Sequence, residues 1–115
     1  MTRRGDMTTY QLYEGNCLVE MNQIEDASID MVCTDLPFNT TGNRWESAIN
    51  LCALWQQLIR VTKPHAAIIL FAMQPFTSQL VMSHPKGYKH PWIWEKGQAG
   101  NFAVAKYMPL TTHED

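Results

Sequence analysis

The sequence predicts an α/β fold with a largely parallel sheet and flanking helices. Short runs of alternating or continuous apolar residues are typical of strands, and runs with apolar residues three and four positions apart are typical of helices. The two kinds of run alternate along the chain, which is the pattern of an α/β protein. In such sheets ligands bind at the carboxyl ends of the strands.

The amino-terminal third of the chain predicts two strands around a short helix. Tyr10 to Glu14 is a candidate strand, and Asn16, which follows Gly15, is a favourable helix N-cap. Ile29 to Thr34 alternates apolar with polar residues and predicts the second strand. Pro37 ends this strand, because proline has no backbone N–H to donate.

The middle of the chain predicts a helix followed by a buried strand. The helix begins near Ser47 and stops before Pro64. Its apolar residues lie on one helical face: Leu51, Leu54, Trp55 and Leu58. Ala66 to Phe71 is continuously apolar, which predicts a strand covered on both faces.

The last part of the chain predicts one more helix and one more strand. Pro75 fits the first turn of a helix that ends near His84. Tyr88 to Glu95 is a candidate strand, and Pro91 within it favours either an edge position or a later start. Gly97 to Asp115 shows no strong period.

Composition and charge restrict the class of protein. The chain has 115 residues, 45% of them hydrophobic, and a net charge of −2, which fits one small globular domain without a basic excess. If the partner is a nucleic acid, most of the phosphate contacts would therefore come from residues outside this chain. Three irregularly spaced cysteines and four histidines show no metal-ligand spacing, so we expect no metal and reduced thiols in the cytoplasm. No apolar run is long enough to span a membrane.

The tetrapeptide at residues 35–38 carries the candidate chemistry, because it follows directly on a predicted strand. An exocyclic amino nitrogen of a nucleobase is a poor nucleophile, since its lone pair is delocalised into the ring. The Asp35 carboxylate and the Leu36 carbonyl can each accept one amino hydrogen and so free that lone pair. Pro37 would keep Leu36 extended, and Phe38 would stack on a base swung out of the duplex.

These residues resemble the Asp-Pro-Pro-Tyr motif of DNA methyltransferases that modify the amino group of adenine or cytosine. The flanks match as well: Glu14 to Leu18 with Ser28 to Val32, then Ile68 to Pro75, Trp92 to Lys96, Asn101-Phe102, Pro109-Leu110 and His113-Glu114. The likeness covers residues 10–115, and residues 1–9 are expected to be a loose start. It implies a Rossmann-like, S-adenosylmethionine-dependent fold, DNA as partner and Asp35, Leu36, Pro37 and Phe38 as catalytic residues.

The resemblance also implies that part of the enzyme is missing. In the permuted branch of the family the catalytic motif comes first and a Phe-x-Gly-x-Gly cofactor loop follows, but these 115 residues contain no such loop. The missing part would supply the middle strand of the sheet, between the strands at Tyr10 to Glu14 and Ile29 to Thr34. We therefore expect a truncated catalytic domain, weak or inactive alone, which a second polypeptide would complete.

Three positions depart from the family pattern. Leu36 keeps a carbonyl but loses the ring of the first proline, and Phe38 keeps the stacking face but loses the tyrosine hydroxyl. Asn16 stands where relatives have an acid near the cofactor. Asn16, and more weakly Asp35, are therefore only candidate cofactor contacts.

Each candidate has a structural alternative. Asp35 before Pro37 is also a common strand-ending turn, and Asn16 fits a plain helix cap better than a cofactor contact. Trp92 and Trp94 fit a core better than contact with a base. Lys96 and Lys106 are either phosphate contacts or solvated side chains, and His113-Glu114 is expected to fray.

The sequence thus predicts a relative of the adenine-N6 methyltransferases, because the cytosine-N4 enzymes of this family often carry serine in place of Asp35. The alternative is a non-catalytic remnant that acts as an interaction module or as half of a split enzyme. A nucleotide-binding α/β domain unrelated to methylation is disfavoured, because the sequence has no phosphate-cradling loop.

Overall fold

A computed structural model describes residues 8–37, 49–100 and 111–114 of the chain. It is a mixed α/β structure with a small parallel sheet and helices, as the sequence predicts. The elements are, in order, α1 (Cys17–Glu20), a 3-10 turn (Met21–Gln23), β1 (Ile29–Asp35), α2 (Leu51–Val61), β2 (Thr62–Phe71), α3 (Phe76–Ser83), β3 (Trp94–Gly100) and β4 (Thr111–Glu114).

Strands β1 and β2 form the parallel sheet, and α2 is the helix that connects them. From Met31, which pairs with Ala67, the register is continuous to Asp35, which pairs with Phe71. Both strands therefore reach the same edge of the sheet together, and Asp35 ends the first of them.

The hydrophobic core lies between one face of this sheet and the helices. Its buried cluster contains residues of α2, of α3 and of the segments that leave β1 and β2: Leu36, Leu54, Leu58, Ala72, Phe76 and Leu80. Val32, Ile68 and Leu70 pack against this cluster from the sheet. Side chains alternate between the two faces of a strand, so Met31, Cys33 and Asp35 lie on the opposite face, and all three are exposed.

Local interactions set the helix ends. The Asn16 side chain accepts a hydrogen bond from the backbone N–H of Leu18, and Asn50 accepts one from that of Ala53. The cap at Asn50 makes α2 begin at Leu51 rather than near the predicted Ser47. The third helix lies where Pro75 predicts it and ends at Ser83, with His84 as its C-cap.

Two sheet predictions are wrong. Tyr10 to Glu14 forms no strand, and Tyr10 is 81% exposed, because no strand in the described part of the chain pairs with this segment. The sheet is also less parallel than predicted, since β3 and β4 form a separate antiparallel pair. A missing strand is predicted to lie between strands at residues 10–14 and 29–34. Because residues 10–14 form no strand, this prediction has no support.

The predicted coverage of Ala66 to Phe71 on both faces is also wrong. Ala67 is exposed and its five neighbours in this range are only half-buried, because α2 and α3 cover one face of the sheet, whereas on the other face the Trp94 ring contacts Phe71 at the strand end. A continuous apolar run has therefore formed a strand with one open side.

The last strands differ from prediction as well. Tyr88 to Glu95 becomes a strand only from Trp94, as expected if Pro91 delays its start. His113 and Glu114, expected to fray, lie in β4, where their backbones pair with Glu95 and Trp94.

Candidate functional site

The candidate site begins where β1 ends. Asp35 is the last residue of the strand, and its side chain is exposed on the open face of the sheet. Its carboxylate forms no hydrogen bond or ion pair with any residue that the structure describes.

Leu36 fixes the position of that carboxylate. Its side chain is only 5% exposed and belongs to the core cluster with Leu54, Leu58 and Phe76. The core thus anchors the residue directly after Asp35, while Pro37 is half-buried beside it. Burial of one side chain and exposure of its neighbour is the alternation that brings the Asp35 carboxylate to the surface at the end of a strand.

The structure places three of the four predicted catalytic residues, Asp35, Leu36 and Pro37, at the end of β1, and their adjacency follows from the sequence. Phe38, the predicted stacking residue, lies outside the described residues. Lys106 also lies outside the described residues. Lys96 lies in β3, and the structure describes only its position in that strand.

Asn16 acts as a helix cap in the structure. Its Oδ1 accepts the Leu18 N–H at 3.0 Å, and its backbone oxygen accepts the N–H groups of Val19 and Glu20 at 2.9 Å each. The structural alternative for this residue is confirmed. Its predicted cofactor contact stays a prediction. Leu18 packs against the core cluster that contains Leu36, so the same core supports both candidate positions.

Phe71 and Trp94 form the neighbouring wall of the site. Phe71 pairs with Asp35 across the sheet, and its ring meets the Trp94 ring edge-on with centroids 5.9 Å apart. The prediction that Trp92 and Trp94 are core residues is wrong: they are 67% and 54% exposed. Trp92 lies before β3 begins and contacts the ring of His90 at 5.6 Å, so no layer of described residues covers it.

Charge is strongly segregated along the chain, and the net charge of −2 conceals this. Residues 10–35 contain six acids and no lysine or arginine: Glu14, Glu20, Glu25, Asp26, Asp30 and Asp35. Residues 49–94 contain no acid but four cations: Arg60, Lys63, Lys86 and Lys89. Arg60 pairs with Asp26 and Lys63 with Asp30, each at 2.7 Å. Lys86 and Lys89 form no ion pair with any described residue.

A groove of about 560 Å³ lies away from this site. It is lined by residues of α2 together with Ser83 at the end of α3: Cys52, Trp55, Gln56, Ile59 and Ser83. The Trp55 indole N–H donates to the Ser83 hydroxyl at 2.7 Å across the two helices. Asp35, Leu36 and Pro37, the described residues of the tetrapeptide, do not line this groove.

Three further structural findings concern the cysteines, metal binding and membrane helices. Cys17, Cys33 and Cys52 are all free and exposed. The described residues contain no group of three or more metal-binding side chains. Each helix in the described part of the chain is too short or too polar to cross a bilayer.

Comparison with models of known protein families finds no match, and comparison with curated proteins finds no relative. The functional assignment therefore depends on the residues of the site themselves.

Proposed function

We propose that the chain is the motif-bearing part of an S-adenosylmethionine-dependent DNA methyltransferase that acts on an exocyclic amino group, with adenine N6 favoured over cytosine N4. In this proposal the partial sheet belongs to a Rossmann-like methyltransferase fold. The observation that carries it is the exposed carboxylate of Asp35 at the end of a parallel strand, which no described residue pairs with and which is followed by a residue anchored in the core.

The proposed chemistry needs two acceptors and a methyl donor. The Asp35 carboxylate and the Leu36 backbone oxygen accept the two amino hydrogens, while Pro37 restricts the backbone and Phe38 holds the base. A bound S-adenosylmethionine would supply the methyl group from its sulfonium to the amino nitrogen and would leave as S-adenosylhomocysteine. The Asp35 carboxylate would accept the proton that the nitrogen gives up, either for itself or for transfer to water.

Recognition of the amino group is testable without turnover. The ligands are two short duplexes that place either adenine or purine, which lacks the amino group, opposite an abasic site. A site built to accept two N–H groups should bind adenine about tenfold or more tightly than purine, because purine leaves both acceptors unpaired. In Asp35→Ala the ratio should fall towards one. Equal affinities for the two duplexes in the unsubstituted chain would refute the proposal.

The donor site is proposed to be incomplete in these 115 residues. Calorimetric titration with S-adenosylmethionine should therefore give weak or no binding, and tritiated methyl transfer to unmethylated DNA should stay near background. Micromolar affinity for the donor would contradict this part of the proposal. Methyl transfer that survives Asp35→Ala would show that the catalytic carboxylate is another residue.

One observation favours the second candidate, an interaction module or half of a split enzyme. Among the described residues β1 pairs with β2 alone, and the sheet face with Met31 and Cys33 is open. A single-sided sheet is a surface that another chain can cover.

Thiol modification tests whether a second polypeptide covers this face. The natural test partner is the polypeptide encoded by the next reading frame downstream, if that frame carries a glycine-rich cofactor loop. Its binding should slow the reaction of Cys33 with a disulfide reagent, while the exposed Cys17 and Cys52 stay reactive as internal controls. Equal reactivity of all three thiols with and without that partner would exclude coverage of this face.

A further inference from the structure

Residues 85–94 form an exposed segment that contains both aromatic and basic side chains, here called the aromatic–basic segment. Every residue in it is exposed, and none is acidic. Its rings are Tyr88, Trp92 and Trp94, and its cationic or titratable side chains are Lys86, Lys89 and His90. We propose that this segment binds a nucleic-acid strand next to the Asp35 site, through base stacking on Trp92 and phosphate contacts of Lys86 and Lys89. This inference rests on the proposed function.

The exposure of the rings is the first support. Trp92 and Ile93 are 67% and 61% exposed, and Tyr88 is 46% exposed. Large aromatic groups in water cost free energy unless a partner covers them. Stacking between bases and aromatic rings is the usual way in which proteins hold single strands without sequence preference.

The free cations are the second support. The two lysines of the segment have no ion pair among the described residues, whereas Arg60 and Lys63 are both paired with acids. In residues 49–94, the lysine and arginine charges that no described acid pairs with therefore lie next to the aromatic rings. A phosphate backbone complements that charge, and each contact releases a bound counterion.

The position of the segment is the third support. Trp94 joins it to the site, because the Trp94 ring contacts Phe71, and Phe71 pairs with Asp35 across the sheet. A strand held along the segment would pass close to the carboxylate. Residues 88–93 form no helix, so they offer no amphipathic helical face for a lipid surface.

The test uses a fluorescein-labelled strand of fifteen thymidines, an abasic strand of the same length, and anisotropy as the readout. Thymine has no exocyclic amino group, so its binding does not depend on the proposed methylation site. Wild-type protein should bind the thymidine strand more tightly than the abasic strand. Trp92→Ala should weaken thymidine binding about 5- to 100-fold and leave abasic binding unchanged, because stacking is lost and phosphate contacts remain.

The lysines are tested through salt. Lys86→Ala combined with Lys89→Ala should lessen the slope of log affinity against log salt by about 1.4, since each phosphate contact contributes about 0.7 for a single strand. Lys63→Ala removes the same charge from a lysine already paired with Asp30, so it should leave the slope unchanged. Tyr10→Ala is the matched control for an exposed ring outside the segment.

Folding and the proposed function are kept separate by two further variants. Trp92→Phe keeps a stacking face, and its affinity for the thymidine strand should lie within about threefold of that of wild type. The urea midpoint of Trp92→Ala should equal that of wild type. Asp35→Ala should lose the preference for adenine over purine yet bind thymidine strands normally. If Asp35→Ala behaves so while Trp92→Ala binds like wild type, this inference fails and the proposed function stands.

Two other outcomes would also overturn the inference. One is the absence of strand binding by the wild-type chain at low salt. The other is tighter, Trp92-dependent binding to vesicles of anionic phospholipid than to the thymidine strand, which would assign the segment to a lipid surface.

Discussion

Arg60 is predicted to hold the polypeptide between α1 and β1 against α2, and its loss should destabilise the protein far more than the loss of Lys63. Its guanidinium donates to the backbone oxygens of Met21 and Ile24 at 2.8 Å each, to Asp26 at 2.7 Å, and to Gln57 of its own helix. The perturbation is Arg60→Met, which keeps much of the aliphatic stem and removes every donor.

The expected magnitude follows from the burial of these bonds. The two bonds to backbone oxygens are partly buried, and the arginine side chain is 29% exposed. Hydrogen bonds of this kind contribute about 1–1.5 kcal/mol each once exposure is allowed for. The Asp26 carboxylate is 78% exposed, so its ion pair adds about 0.5 kcal/mol or less. Arg60→Met should therefore cost about 2–3 kcal/mol.

Lys63→Met is the matched control. Lys63 meets Asp30 at the same 2.7 Å separation, but its side chain is 51% exposed and the carboxylate 83% exposed. Lys63 donates no hydrogen bond to a backbone oxygen of the described residues, whereas Arg60 donates to those of Met21 and Ile24. Its loss should cost about 0.5 kcal/mol or less.

Equilibrium unfolding in urea, followed by tryptophan fluorescence, distinguishes the two. With a slope of about 1–3 kcal/mol per molar, Arg60→Met should lower the urea midpoint by about 0.7–3 M, and Lys63→Met by about 0.5 M or less. One molar salt should erase the small effect of Lys63→Met and retain most of that of Arg60→Met, because salt screens exposed charges and leaves partly buried hydrogen bonds intact. A stabilising osmolyte restores a folded baseline if the arginine variant is unfolded in buffer. Equal midpoints for the two variants would refute the anchoring role of Arg60.

Three further predictions concern the core, the first helix and the helix pair. Leu54→Ala, at a residue 2% exposed, should cost about 2–5 kcal/mol in urea unfolding, whereas Ile59→Ala on the exposed side of the same helix should cost less than about 1. Asn16→Ala should destabilise by about 0.5–2 kcal/mol through loss of the cap, and Asn16→Asp should restore it; an equal loss in both variants would contradict the capping role. Trp55→Phe should cost about 0.5–1.5 kcal/mol by leaving Ser83 without its indole donor, and a double-mutant cycle with Ser83→Ala should show that the two losses are coupled.

The sequence predicts the elements with local signals well. Asn16, Pro75 and the helical face of α2 place three helices, and the alternation before Pro37 places β1 with Asp35 at its end. These features depend on capping, on the missing N–H of proline and on helical periodicity, all of which act within a few residues.

Strand partners and burial are not predictable in this way, because both depend on residues distant in sequence. Tyr10 to Glu14 has the composition of a strand but no partner among the described residues, and Ala66 to Phe71 is apolar throughout yet open on one side. Trp92 shows the same limit: its spacing with Trp94 fits a core, and only the surrounding structure shows that it is exposed.

The charge pattern is a signal that net charge conceals. A total of −2 argues against binding to phosphates, but residues 49–94 contain no Asp or Glu. Lys86 and Lys89, which form no ion pair with a described residue, lie there among aromatic rings. The net charge of the whole chain gives no sign of the aromatic–basic segment. The charge of each segment, considered together with burial and ion pairing, does indicate it.

The central claim is that the Asp35 carboxylate and the Leu36 oxygen each accept one amino hydrogen of a base. The most direct measurement is nuclear magnetic resonance of an oligonucleotide with a single adenine, opposite an abasic site, labelled with ¹⁵N at its amino group. In complex with the unsubstituted chain, both amino protons should become separately resolved and move downfield, and in Asp35→Ala only one should do so. Amino resonances that stay at their free positions in a complex known to have formed, or that shift equally in Asp35→Ala, would contradict the account.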